Sequence, residues 1–396
     1  MCEKKILPQH VFIVGAKSFG AYGGFETFID KLTEYHQNNS AIKYHVAVKK
    51  NGDGAGIPNG VKFKTGGYDY HNADCFEIKI PVWLKSAQAI YYDCAALHKC
   101  IEIIKKDKIN NPIVYIMTCR IGPFFSHYVR KIKKLGGRVY LNPDGHEWKR
   151  TKWSKLVRLY WKYSEKIMVK GSDFIVCDSK NIEKYIQETY GVKNTTFIAY
   201  GAETELSKCS ENKYEKWLNS KNLRKNEYYL VVGRFVPENN YETMIREFMK
   251  SNTKKYLAII THDNPIFLNE LNQKLNFKDD KRIKFVGTVY DQELLKKIRE
   301  EAYGYIHGHE VGGTNPSLLE ALGSTKLNLL LDVSFNSEVG EDAALYWTKQ
   351  NGSLSSLINK CEGMDREEIG KKAKERIESS YSWKYISDRY LEIWCK

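Results

Sequence analysis

The sequence predicts an α/β protein made of two doubly wound domains, and three observations carry that expectation. The chain has 396 residues, more than one small core organises. Short apolar runs of strand length alternate with helical patterns along its whole length. The polar stretch SKCSENKYEKWLNSKNLRKNE (207–227) separates two such series, which places the domain junction near it.

In the first series HVFIVGA (10–16), YHVAV (44–48), IVYIMT (113–118), RVYLN (138–142), FIVCDS (174–179) and TFIAYG (196–201) read as buried strands. In the second, YYLVVG (228–233), YLAIIT (256–261), IKFVGTV (283–289), AYGYIHG (302–308) and LNLLLDV (327–333) do so. KYIQETYG and ELLKKIREEA, lying between strands, have helical periodicity. Strands that are apolar throughout argue for parallel sheets covered by helices on both faces. The expected domains are residues 1–205 and 206–380, with a cleft between them. The closing segment YSWKYISDRYLEIWCK (381–396) reads as a helix, with Ser382 as its cap and Ile386, Tyr390 and Ile393 on one face.

Composition narrows the setting. Apolar runs such as VFIVGA and LNLLLDV are too short to cross a bilayer, and the start MCEKKILPQH lacks a secretory apolar stretch. Nine cysteines without a CxxC pair fit reduced thiols better than a disulfide frame or a zinc site. A cytoplasmic protein is therefore expected. Net charge is +14, and residues 1–200 hold 32 Lys and Arg against 18 Asp and Glu, whereas the remainder holds 30 of each. The first half should thus face something anionic: a membrane surface, a phosphorylated lipid or a nucleic acid. A solubilising excess is the plain alternative.

Ligands of parallel α/β sheets bind where strands end and helices begin, and four loops stand at such points. In HGHEVGGTNPSLLEALG (307–323), Asn315 suits a helix N-cap and Pro316 the first helical turn. Gly312 and Gly313 allow close backbone approach, free helix-start N–H groups favour phosphate, and Glu320 could accept from a sugar hydroxyl. In VGRFVPENN (232–240), Arg234 follows a strand directly, where its guanidinium could grip phosphate oxygens. GAKSFGAYGGFETF (15–28) is neither a P-loop nor GxGxxG, yet Gly23, Gly24 and Glu26 could open a helix against a polar ligand. NPDGHEWKR (142–150) gathers Asp144, His146, Glu147, Lys149 and Arg150, a set offering acid/base or hydroxyl-orienting groups. A structural turn or a surface side chain is the alternative at each.

Residues 148–170 carry eight basic residues and one acid. Trp153, Leu156, Val157, Tyr160, Ser164 and Ile167 trace one stripe, and Lys152, Lys155, Arg158, Lys162 and Lys166 another. A basic amphipathic helix with tryptophans suits an anionic membrane surface; the rival is a helix packed on its sheet with solvated lysines. There is no DxD triplet, HExxH or metal-spaced Cys/His set, so no metal site is expected.

The stretches YGGFETF, NPDGHEWKRTKW, SDFIVCDS, FIAYGAE, VGRFVPENN, HEVGGTNPSLLEAL and the terminal YSW helix together resemble a retaining GT-B glycosyltransferase of family 4. More narrowly, they are similar to the bacterial rhamnosyltransferases of capsule and cell-wall synthesis. The resemblance implies two Rossmann-like domains, with the nucleotide sugar held mainly by the second and the terminal helix (381–396) returning to the first. It implies transfer of L-rhamnose from dTDP-L-rhamnose to a lipid-diphosphate-linked sugar, at the inner face of the cell membrane. No cofactor, metal ion or specific nucleic acid is implied.

On this resemblance Arg234 grips the donor diphosphate and Glu320 holds the ribose. Gly312, Gly313, Thr314 and Asn315 line the diphosphate or sugar, and Gly23 and Gly24 approach the diphosphate. Asp144, His146 and Glu310 are the catalytic candidates; Tyr22, Glu26, Lys149 and Arg150 would meet the acceptor. Two positions depart from the family pattern. Gly312 stands where the first of two glutamates is usual, leaving Glu310 two residues early, and Asn239 replaces the usual phosphate lysine. The competing readings are a UDP- or GDP-sugar donor on the same scaffold, or a basic membrane- or nucleic-acid-binding protein without catalysis.

Overall fold

The computed structural model describes residues 8–20, 23–150 and 153–396. It divides into two compact units, one running to Tyr200 and resuming over Trp383–Lys396, the other spanning Gly201–Ser382. The change-overs thus fall at 200/201 and 382/383, where the sequence reading set 205/206 and 380/381.

The first unit contains β1 (Gln9–Val14), α1 (Gly24–Tyr35), β2 (Ile42–Lys49), β3 (Lys62–Lys64), β4 (Gly67–Tyr70), β5 (Ala73–Ile78), α2 (Gln88–Lys106) and β6 (Ile113–Met117). It continues through α3 (Gly122–Lys134), β7 (Arg138–Asn142), α4 (Lys155–Gly171), β8 (Phe174–Cys177), α5 (Lys180–Tyr190) and β9 (Thr195–Phe197). The sheet order is β3-β4-β5-β2-β1-β6-β7-β8-β9. Strands β5, β2, β1 and β6 to β9 pair in parallel, and their all-apolar runs fit burial on both faces. Two additions were not expected: β3 pairs antiparallel with β4, and β4 with β5. These strands are short, and β3 (KFK) is exposed throughout, so no apolar run marks them. Lysines on that edge discourage pairing with another chain. Lys64 is instead held by Asp69 at 2.7 Å and by Asp74.

Strand β1 lies between β2 and β6, so the loops after Val14 and Met117 leave a switch point where the winding reverses. The Tyr92 hydroxyl fixes α2 there, its one O–H lying between the carbonyl oxygens of Ala16 and Ala47, each 2.7 Å away.

The second unit comprises α6 (Glu211–Lys221), β10 (Tyr228–Val232), α7 (Tyr241–Lys250), β11 (Tyr256–Ile260), α8 (Pro265–Leu275), β12 (Ile283–Gly287) and α9 (Gln292–Glu300). It continues with β13 (Gly304–His307), α10 (Pro316–Ser324), β14 (Asn328–Leu331), α11 (Ser334–Gly340), β15 (Leu345–Trp347), α12 (Ser353–Cys361) and α13 (Glu367–Ser380). Its six strands are ordered β12-β11-β10-β13-β14-β15 and pair in parallel throughout. The winding reverses between β10 and β13. The polar stretch 207–227 is part of this unit rather than a linker: α6 buries Tyr214, Trp217 and Leu218 in its core.

The last helix, α14 (Trp383–Trp394), belongs to the first unit. Ile386, Tyr390 and Ile393 are buried together, as their spacing predicts. The Tyr390 and Tyr115 hydroxyls lie 3.0 Å apart, and the fully buried Trp394 ring packs edge-on against Tyr44 and Tyr115.

Candidate functional site

In the second unit, the ends of β10 and β13 carry two of the four loops singled out by sequence. Arg234 follows β10 after one residue and is exposed; among the described residues its guanidinium has no hydrogen-bond or ion-pair partner. Its backbone is held firmly instead. Asn239 Nδ2 donates to the Arg234 carbonyl at 2.8 Å, and Asn239 Oδ1 lies 2.8 Å from His309 Nδ1. Asn239 therefore ties the two loops together with both ends of its amide. Where the resemblance led to the expectation of a cation, this chain has a brace.

Asn315 caps α10, its Oδ1 accepting the Ser317 N–H at 2.9 Å, and Pro316 takes the first turn as expected. Gly312, Gly313 and Thr314 are buried. Gly312 has φ 132°, and a Cβ there would stand 3.3 Å from His309 Nε2. The glutamate of the usual pair cannot occupy that backbone without strain. Glu310 does not lie open either: Lys349 Nζ meets its Oε1 at 2.5 Å, and Asn240 Nδ2 donates to its Oε2 at 3.1 Å. Its carboxylate is thereby neutralised and oriented within the unit.

Glu320, 34% exposed, is paired with the buried Arg299 of α9 at 2.5 Å, and Arg299 also reaches Ser317 Oγ at 3.4 Å. Sequence reasoning missed Arg299, because one arginine in a charged amphipathic helix has no distinguishing pattern. The Tyr305 hydroxyl stands within 3.2 Å of the Val232 carbonyl, Ser317 Oγ and His307 Nδ1, linking β10, β13 and α10. Burial pushes the His307 imidazole down to about 3. With the folded value below the unfolded 6.5, the unfolded state binds the extra proton, so stability falls as pH drops below about 6.5. Urea titrations at pH 7 and 5 should differ by about 2 kcal/mol from this group alone, a difference that His307→Phe removes.

The first unit presents the other two loops. Glu26 is turned inward: its Oε1 accepts the Lys17 N–H at 2.8 Å, and a Cβ at Gly23 would lie 2.0 Å from its Oε2. Gly23 thus leaves room for Glu26 to brace the loop, and Gly24 begins α1. Tyr22 lies outside the described residues. In the loop after β7, Asp144 (φ 56°) and His146 (φ 43°) both adopt left-handed backbone, strain that clusters at working sites. Burial raises the Asp144 carboxyl above its ordinary value, with Arg150 opposing. Burial, then Lys149 and Lys162, lowers the His146 imidazole to about 4. Its ring packs 4.2 Å from that of Tyr185, so it is neutral at pH 7 and suited to hydrogen bonding rather than proton uptake. Arg150 pairs with Glu147, whose Oε1 also accepts from Trp153 Nε1 at 2.9 Å; Lys149 is exposed beside the Trp148 ring.

The basic amphipathic segment differs from its expected form. A 3-10 turn occupies Glu147–Lys149, Lys152 lies outside the described residues, and α4 begins only at Lys155, capped by Ser154. Its buried face is Ser164, Glu165, Met168 and Val169; of the stripe traced in the sequence Ser164 is buried but Leu156 is 79% exposed, and Leu159, outside that stripe, is 66% exposed. Val157 and Tyr163 are exposed as well. Lys162 also leaves the basic face, bonding the Tyr185 hydroxyl at 2.5 Å and covering the Trp148 ring. Among the described residues no helix is long and apolar enough to cross a membrane, and no three His, Cys, Asp or Glu side chains gather as a metal site.

Residues 8–203 match a domain family described as a domain of unknown function, DUF1972. No curated protein matches the sequence. The whole chain is similar in structure to a glycosyltransferase from Rickettsia africae ESF-5, at 16% identity and TM-score 0.73, with 98% of each chain covered. It is also similar to Anabaena Alr3699/HepE in complex with UDP and glucose, at 12% identity and TM-score 0.72, covering 98% of this chain and 99% of that one. Sucrose-phosphate synthase from Thermosynechococcus elongatus matches at 15% identity and TM-score 0.72, with 98% of both chains covered. The chain therefore has the GT-B fold of two Rossmann-like units.

Proposed function

We propose that the protein is a glycosyltransferase that moves L-rhamnose from dTDP-L-rhamnose to a lipid-diphosphate-linked saccharide during bacterial surface-polysaccharide synthesis. The observation that carries this reading is Arg234: a guanidinium without a partner among the described residues, backbone-braced by Asn239, at the switch point beside the glycine-rich start of α10. Such a group, with helix-start N–H donors, suits a diphosphate leaving group. Glu320, steadied by Arg299, would accept from the nucleoside's ribose, and Gly313 and Thr314 would line the phosphates or sugar. Transfer proceeds with retention and without a metal ion, the leaving phosphate taking the acceptor proton while Asp144 and His146 orient hydroxyl groups.

A second reading, a UDP-sugar donor, is favoured by the fold shared with HepE, whose structures hold UDP, glucose or UDP-glucose. Purified protein is offered dTDP-rhamnose, UDP-glucose and GDP-mannose with synthetic lipid-diphosphate sugars, with and without EDTA. Turnover with dTDP-rhamnose alone supports the first reading; preference for UDP-glucose replaces it with the second; no sugar transfer or donor hydrolysis removes both.

The same proposal places the enzyme peripherally at the inner face of the membrane. Leu156, Leu159 and Tyr163 stand exposed beside Lys155, Arg158 and Lys166, an apolar and basic surface suited to anionic lipid. Leu156→Glu with Leu159→Glu should reduce flotation with phosphatidylglycerol vesicles at least about fivefold, at roughly 1 kcal/mol of lipid affinity. Folding should be unaffected, since both side chains lie outside the core. Unchanged flotation would leave α4 a packing helix.

A further inference from the structure

The switch point of the first unit holds a group of charges that the proposed reaction has not used. Arg120 stands just past β6, and its Nη1 donates to the Gly15 carbonyl at 3.2 Å and to both oxygens of the fully buried Asp93, at 3.1 and 3.3 Å. Two lysines join it from the neighbouring strand ends. Lys17 follows β1 and Lys49 closes β2; the Lys49 N–H donates to the Lys17 carbonyl at 2.7 Å, so their backbones are fixed side by side. Lys17 Nζ meets Asp53 Oδ2 at 2.6 Å, and Lys49 Nζ donates to the Asp53 carbonyl at 2.9 Å. Glu26 braces this loop from below through the Lys17 N–H.

The balance of partners is uneven. Asp93 is committed to Arg120 in the interior. Asp53, the side chain that answers Lys17, is 87% exposed on a surface loop, where water screens it and an incoming anion can displace it. Among the described residues Lys49 has a carbonyl but no carboxylate in contact. Burial first, then the nearby Lys17 charge, lowers its ammonium below the ordinary value. Three cations thus stand on three adjacent strand ends: Asp93, with Asp144 and Glu147 nearby, answers Arg120 from within, whereas among the described residues the exposed Asp53 is the one acidic side chain in contact with a lysine ammonium here. In doubly wound sheets that position is where ligands bind.

We propose that Lys17, Lys49 and Arg120 form an anion subsite in the first unit that takes a phosphate or diphosphate group. It uses residues other than the donor-side set around Arg234. Arg120, anchored by Asp93 and Gly15, presents its remaining N–H groups, while the two lysines close on the anion from the strand ends beside it. Assigning this phosphate to the acceptor rests on the proposed transfer reaction; the binding of phosphate does not.

Inorganic pyrophosphate, titrated calorimetrically into the full-length protein, tests the subsite directly. The wild type and Arg234→Ala should both retain saturable binding that belongs to the first unit. Lys17→Met with Lys49→Met should weaken it about tenfold or more, the scale of one lost charge-assisted contact. Lys50→Met, the same charge loss on the exposed partner of Glu77, should not weaken it. No saturable binding in Arg234→Ala, an unchanged double variant or an equal loss in Lys50→Met would each overturn the subsite. Kinetics then separate the two ideas. If transfer occurs, the double variant should raise KM for a diphosphate-bearing acceptor at least tenfold while leaving a neutral acceptor glycoside unaffected. Equal effects on both acceptors would detach the site from the acceptor, and absence of any transfer would refute the proposed reaction while leaving the pyrophosphate result standing.

Discussion

Arg234→Ala should lower kcat/KM for the nucleotide-sugar donor by about 100- to 1,000-fold, or roughly 3–4 kcal/mol of lost transition-state stabilisation. The expectation follows from two facts about one side chain. Among the described residues the guanidinium has no protein partner to leave unpaired, so its removal should shift the melting temperature little. Its backbone is nonetheless fixed by Asn239, so it begins near a productive position rather than searching for one. Arg234→Lys should recover only part of the loss, because an ammonium cannot span two phosphate oxygens as the planar fork does. Steady-state kinetics on folded protein decides the matter: kcat/KM within threefold of wild type in Arg234→Ala would end its phosphate role.

Trp394→Ala should destabilise the first unit by about 3–5 kcal/mol, the range for removing a large aromatic side chain from a core. The ring is fully buried and packs against Tyr44, Tyr115 and Tyr390, which come from β2, β6 and α14. No single neighbour can move to fill the space, so the cavity term should persist. Urea denaturation followed by tryptophan fluorescence should show an earlier transition for the first unit, with the second unit's transition unmoved. A loss below about 1 kcal/mol would mean that the helix contributes little. Lys384→Met, on the exposed side of the same helix, serves as the surface control.

How much of this was legible in the sequence depends on whether a residue's role is local. Most of the parallel strands were readable because a strand buried on both faces must be apolar throughout, as in IVYIM and YYLVV, whereas β5 and β15, which also pair in parallel, were missed. The Asn315 cap and the Pro316 turn were readable because capping is decided within three residues. Antiparallel β3 and β4 were hidden by their length, and β3 also by lysines that suit an edge rather than a core. In α4 the traced stripe held both Ser164, which is buried, and Leu156, which is exposed, while tertiary placement also buried Glu165, which no apolar pattern marks. Glu165 is tolerated inside because the Tyr185 and Tyr190 hydroxyls, from α5, donate to it. Arg120 and Arg299 escaped for the same reason: their partners, Asp93 and Glu320, lie 27 and 21 positions away, beyond any local pattern.

Because α14 completes the first unit, the order in which the chain is made differs from the order in which its cores can close. The second unit is whole once residue 382 has been synthesised, whereas the earlier-made sheet waits for α14 (Trp383–Trp394) to cover Tyr44 and Tyr115. The two strands of chain that enter and leave the second unit are held together, Ala202 N–H donating to the Tyr381 carbonyl at 2.8 Å. The second unit is in effect an insertion whose ends meet. A nascent chain stalled before residue 383 therefore carries a finished C-terminal body and an N-terminal one with its aromatic face still uncovered.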